Sequence, residues 1–187
     1  IYPSRSLGKL SEEETQRRNG LFVAQEEFKK AIDPERGILT DASLMREVNF
    51  YLGWIDYNHN EFASALDYWA ELPEEDIYNN ATVLLGKGNS FYYTKQYNAA
   101  LGNYLKLKDD YEERELSLGR LEPENSDHQE IYQTLTALYN NIGAVYEKKQ
   151  DTINALKYYW KAMETARRIG IVSEIATSNK DLVFARA

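Results

Sequence analysis

The side chains that could do chemistry are few. The 187 residues hold two histidines, His59 and His128, and no cysteine. Without cysteine there is no disulfide, no thiolate nucleophile and no thiolate metal ligand. The two histidines stand in no metal-binding spacing such as HExxH. His59 falls in a polar turn and His128 at an expected helix start, so both are expected at the surface. Gly86-Lys87-Gly88-Asn89-Ser90 carries the glycines and lysine of a phosphate-cradling loop without the GxxxxGK[ST] spacing. It lies within a helical pattern, where glycine permits close packing. Glu112, Glu113 and Glu115 could supply paired carboxylates, but such a run is more often a solvated helix face. There is no calcium loop, and no serine or threonine can be matched with a base. Asn80-Ala81-Thr82 fits an N-glycosylation acceptor, which matters only in a eukaryotic secretory setting. The expectation is a chain without catalysis, cofactor or metal.

Charge narrows the partners. The formal net charge is −8, and no basic stripe offsets it. Phosphate backbones and anionic membranes would repel such a chain, so nucleic acid and membranes are not expected. A neutral or basic protein or peptide is the easier partner. No stretch approaches the ~18–20 apolar residues of a membrane span. The chain opens at Ile1 with no signal-peptide pattern, which predicts a mature product or a piece of something longer. Cytoplasm, periplasm and extracellular space all remain compatible. The hydrophobic share, 43%, is ordinary for a folded protein. The aromatic share, 13%, is high and mostly tyrosine, which packs its ring while its hydroxyl reaches water.

The elements that must position any site come in three copies, at residues 49–73, 81–108 and 136–165. In each a glycine (Gly53, Gly88, Gly143) precedes an alanine (Ala65, Ala100, Ala155) by 12 residues. A large ring, Trp69, Tyr104 or Tyr159, follows the alanine by four. In the first copy Asn58-His59-Asn60 makes the turn and Pro73 closes the second helix. Two helices that cross closely need small residues at the crossing, and rings fill the space beside them.

This pattern resembles the tetratricopeptide repeat, a helix-turn-helix unit, from about Leu44 to the C-terminus. The resemblance implies an all-α fold, a right-handed α-solenoid of antiparallel helical hairpins. Asn49 and Asp56 depart from it, standing where the family places bulky apolar side chains. A register shifted by one, with Val48, Leu52 and Ile55 as the core stripe, is the alternative. The expected single domain has a capping or degenerate repeat over 1–43 and two repeats over 44–107. An extended third repeat covers 108–170, and a capping or severed helix 171–187.

Local signals fill in the order. Ser11 with Glu12, Glu13 and Glu14 opens a helix whose stripe is Leu21, Ala24, Phe28 and Ala31. Asn19-Gly20 is either a turn or a glycine inside one helix over 11–32. Asp41 caps the next helix, and 74–76 opens another with acids. The interval from Ala100 to Ala155 is 55 residues against 35 for the preceding pair. The excess lies between Lys108 and Glu130. Residues 111–118 are expected to prolong a helix beyond the stack, as a solvated extension or a partner contact. Ser126 or Asp127 is expected to cap a long helix reaching Lys149, and Asp151 to start the last hairpin's second helix. Residues 173–187 form one more amphipathic pattern.

Stacks of this family line a concave face with the first helix of each hairpin, here about 41–57, 78–93 and 128–148. Helical spacing turns Phe50, Trp54 and Tyr57 to that face, then Asn89, Tyr92 and Tyr93, then Asn140, Ala144, Glu147 and Lys148. The aromatic trio could anchor a partner side chain or instead pack on the helix before it. Asn89 and Asn140 could bond a peptide backbone. The lysine and arginine clamp by which related repeats hold acidic chaperone tails is missing, since Phe50, Trp54, Asn140 and Ala144 occupy its places. The expected role is a non-catalytic scaffold holding a peptide or protein. The alternatives are self-association through the terminal helices, or a regulatory or sensor domain of a larger enzyme or secretion component.

Overall fold

Three hairpin turns repeat one backbone pattern. In the computed structural model, which describes residues 12–33, 41–73, 81–119 and 125–168, Asn60, Lys95 and Gln150 adopt φ of 64°, 63° and 61°. Each stands five residues before its repeat alanine. Their N–H groups donate three residues back, to Tyr57, Tyr92 and Glu147. The next N–H groups, of Glu61, Gln96 and Asp151, reach five residues back, to Asp56, Phe91 and Tyr146, at 2.9, 2.8 and 2.9 Å. This pair of bonds is the Schellman ending, which satisfies the last carbonyls of a helix by a left-handed residue. Asn tolerates that conformation; Lys and Gln hold it against a steric cost of ~1–2 kcal/mol.

Seven helices occupy the described residues: α1 Glu12–Ala31, α2 Ala42–Asn58, α3 Phe62–Ala70, α4 Ala81–Tyr93, α5 Tyr97–Ser117, α6 Ser126–Lys148 and α7 Thr152–Arg168. No strand occurs among them. The chain divides into two compact units, Ile1–Ser90 and Phe91–Ala187, the division falling near the end of α4. The expected Ser11 cap, the acidic opening at 74–76, Asn80 and the final helix over 173–187 lie outside the described residues.

In the first unit α1 is one helix, continuous through Gly20. Asp41 caps α2 as expected, its carboxylate accepting from the N–H groups of Ser43 and Leu44 at 2.8 and 3.1 Å. The stripe Val48, Leu52 and Ile55 of α2 is buried, and with it Asn49 and Asp56. Asp56 is 2% exposed. It is tolerated because Gln25 of α1 and Ser64 of α3 both donate to its side-chain oxygens, as a buried polar group requires. Phe28 stacks on Tyr51, 6.1 Å between centroids, as a second tie between α1 and α2. Trp69 is fully buried. A methyl group at Gly53 would overlap its indole, and one at Gly86 would sit 2.5 Å from it. Glycine on α2 and on α4 thus makes room for one ring from α3, whose burial contributes about 1.5–3 kcal/mol.

The second unit packs α6 between α5 and α7 around Leu107, Leu135, Leu138, Ile142, Val145, Ala155 and Ala162. Gly143 faces Tyr159 as Gly53 faces Trp69; a methyl group on Gly143 would lie 2.6 Å from the ring. The cap of α6 is Asn125, accepting from Asp127 and His128 N–H. That corrects the expected Ser126 or Asp127 by one or two residues. His128, expected at the surface, is buried. The prolongation of α5 to Ser117 is present, but it does not project as a solvated extension. Tyr111 is buried. The Tyr139 hydroxyl of α6 donates to Glu112 at 2.6 Å, and Arg168 of α7 donates to Glu115 at 2.7 Å.

Candidate partner-binding surface

In the first unit, α2 presents an ordered aromatic face. Trp54 is 38% exposed, and its indole stacks on Tyr57 at 5.6 Å with 20° between planes. Behind Tyr57 stand Phe62 at 5.9 Å and Trp69 at 6.0 Å. The Tyr57 hydroxyl accepts from the side-chain amide of Asn89, on α4, at 2.7 Å. Asn58 closes the patch by donating to the Trp54 carbonyl at 2.7 Å. Phe50 is half-buried, and its carbonyl accepts from the Trp69 indole N–H at 3.3 Å. Among the described residues, Phe28 of α1 stacks on Tyr51, the neighbour of Phe50 in α2. Trp54, Tyr57 and Asn89, singled out from sequence, thus form one connected group. A ring exposed on one side and held on the other gives up little rotamer freedom on binding.

The second unit distributes its candidates differently. Tyr92 makes edge contacts with Tyr93 at 5.6 Å and Tyr97 at 5.9 Å. Burial pushes the Tyr92 hydroxyl above its ordinary range, with Tyr97, Tyr93 and Glu147 adding to the shift. Tyr93 is 52% exposed. Asn140 is only 4% exposed and offers no free surface. Glu147 is half-buried and accepts from the Tyr159 hydroxyl at 2.8 Å, across the α6/α7 seam. It is therefore turned into its own hairpin. Ala144 is half-buried and Lys148 exposed.

Sequence reasoning missed a charged aromatic cluster on the same unit. Lys161 of α7 lies over Tyr139 at 5.0 Å and Tyr158 at 6.0 Å. Glu112 of α5 receives Lys108 at 2.9 Å, Lys161 at 3.4 Å and the Tyr139 hydroxyl. Burial works to raise the Glu112 carboxyl, but the bonds from Tyr139 and Lys108 and the nearby lysine charges outweigh it and hold it low. Burial first, then the bond to Glu112, pushes Tyr139 strongly up. The available signal was the spacing of Lys108 and Glu112 at i and i+4, which marks a pair but not its partners. The arrangement fastens three helices.

Among the described residues no three His, Cys, Asp or Glu side chains are grouped to hold a metal ion. No described helix is long and apolar enough to cross a membrane. No protein-family model matches the chain, and no curated protein does.

Proposed function

We propose that the chain is a non-catalytic scaffold of tetratricopeptide-like hairpins that holds a peptide or protein partner. The observation that carries the reading is the Trp54–Tyr57 stack with Asn89 bonded to the tyrosine hydroxyl. Exposed tryptophan and tyrosine anchors dominate protein interfaces, and preordered ones bind at the least entropic cost. Support for the repeat reading comes from the three matching turns and from the glycine–ring contacts at Gly53 and Gly143. A right-handed solenoid with a concave binding face is the architecture these hairpins would build when stacked in series.

Partners of neutral or basic character suit the chain's charge. An extended peptide with one apolar side chain would set that side chain against Trp54 and its backbone near Asn89. The test is affinity capture with the wild-type chain and with Trp54→Ala, both shown to be folded. Loss of specific partners from the variant is expected. Equal recovery of every partner would show that the ring only packs.

A further inference from the structure

The outward face of α7 carries an exposed stripe. Ile153, Lys157, Trp160, Glu164 and Arg167 follow one another at steps of three and four. Ile153 is 81% and Trp160 53% exposed. Ala155, Tyr159, Ala162 and Ala166 occupy the opposite, buried side. The corresponding positions elsewhere are Ala63 and Ala70 in α3, and Asn98 and Leu105 in α5. Of these three helices, α7 alone pairs two bulky apolar side chains there. Ala63 and Ala70 are themselves exposed, so hairpin packing does not call for apolar bulk on this face.

The charge of this helix runs against that of the chain. α7 holds Lys157, Lys161, Arg167 and Arg168 against Glu164, in a chain of net charge −8. Lys161 and Arg168 are engaged with Glu112 and Glu115. Lys157 and Arg167 flank Trp160 on the stripe and make no ion pair among the described residues. The geometry points to a second docking surface, on which Ile153 and Trp160 seat the apolar side of an acidic amphipathic segment of another protein. Lys157 and Arg167 pair with its carboxylates. An anionic membrane offers the same charge, but attachment there scales with buried apolar area. Two side chains supply little of it.

The experiment titrates the whole chain into a fluorescein-labelled synthetic peptide with leucines on one face and glutamates around them. Anisotropy is read at low and at physiological salt. Binding that weakens with salt is expected. Trp160→Ala and the double variant Lys157→Glu/Arg167→Glu should each weaken it by roughly tenfold or more. Matched circular dichroism melts establish that the variants fold. The same peptide with lysines replacing the glutamates should not bind. The inference is overturned by absent binding, by unchanged affinity in both variants, or by equal binding of the lysine peptide. It is equally overturned by flotation with phosphatidylserine vesicles in place of peptide binding. Concentration-dependent self-association abolished by Trp160→Ala would also overturn it, since a second copy would then be the occupant.

Discussion

The ring of Tyr159 lies against Gly143, so close that a methyl group there would sit 2.6 Å from the ring carbons. Alanine in a helix gains ~1 kcal/mol over glycine, but overpacking costs ~1–3 kcal/mol. A stiff ring cannot retreat without losing its own contacts, and the Tyr159 hydroxyl is bonded to Glu147. Gly143→Ala is therefore expected to lower stability, by up to about 2 kcal/mol net. Gly102, in α5, has nothing within 4 Å of the same methyl position. Gly102→Ala is expected to raise stability by about 0.5–1 kcal/mol. Urea midpoints at constant slope check both, and equal signs would contradict the glycine–ring reading.

The turn residues give a second contrast. Lys95 and Gln150 hold the left-handed conformation without being glycine, and both are exposed. Lys95→Gly and Gln150→Gly are each expected to stabilise by about 0.5 kcal/mol, relief of strain outweighing the added freedom of the unfolded chain. Asn60→Gly should change less, because Asn accepts this conformation more readily. Thermal melts of the three variants provide the measurement.

Gln25 and Asp56 make the third case. Gln25→Ala removes one of the two side-chain donors to the buried Asp56 side chain, which costs about 1–3 kcal/mol. The loss should concentrate in α1, leaving Phe28 on Tyr51 as its ring contact with α2. Hydrogen exchange should show faster amide exchange in α1 while α6 and α7 keep their protection. Unchanged exchange in α1 would mean that the tie carries little.

Acid and alkali should both loosen the second unit. The Glu112 carboxyl is held below its ordinary value. Its contribution is present above the unfolded carboxyl pKa and is lost as pH falls through the lower folded value. The Tyr139 hydroxyl is held above its ordinary value. Its contribution is complete below the unfolded tyrosine pKa and declines as pH rises beyond it. Glu112→Gln should flatten the acid limb of a stability–pH curve, and Tyr139→Phe the alkaline limb. Urea midpoints across the pH range provide the comparison.

The hairpins were legible because their signals are local. Asp41, the 58–60 turn, Asp151 and the glycine–ring spacing act within or between adjacent helices, and periodicity sees that far. The α6 cap was displaced by one or two residues because Asn125, Ser126 and Asp127 are all able caps, and backbone direction decides among them. Long-range polar partners were not legible. Nothing in the spacing of Asp56 announces Gln25, thirty-one residues away. Nor does an acidic run on α5 announce the Tyr139 hydroxyl, so Glu112 read as solvated. Of the surface candidates, Trp54, Tyr57 and Asn89 meet in space. Asn140 and Glu147 were assigned outward by helical angle alone, and the seam with α7 takes Glu147 instead.

Trp69 touches Gly53 on one side and Gly86 on the other. Its ring therefore belongs to neither neighbouring helix alone, and a cut drawn after Pro73 would strip one wall from it. Swapping sequence cassettes at that border would leave a bare indole at the junction. Any modular re-engineering of the chain has to carry α4 along with the hairpin that precedes it.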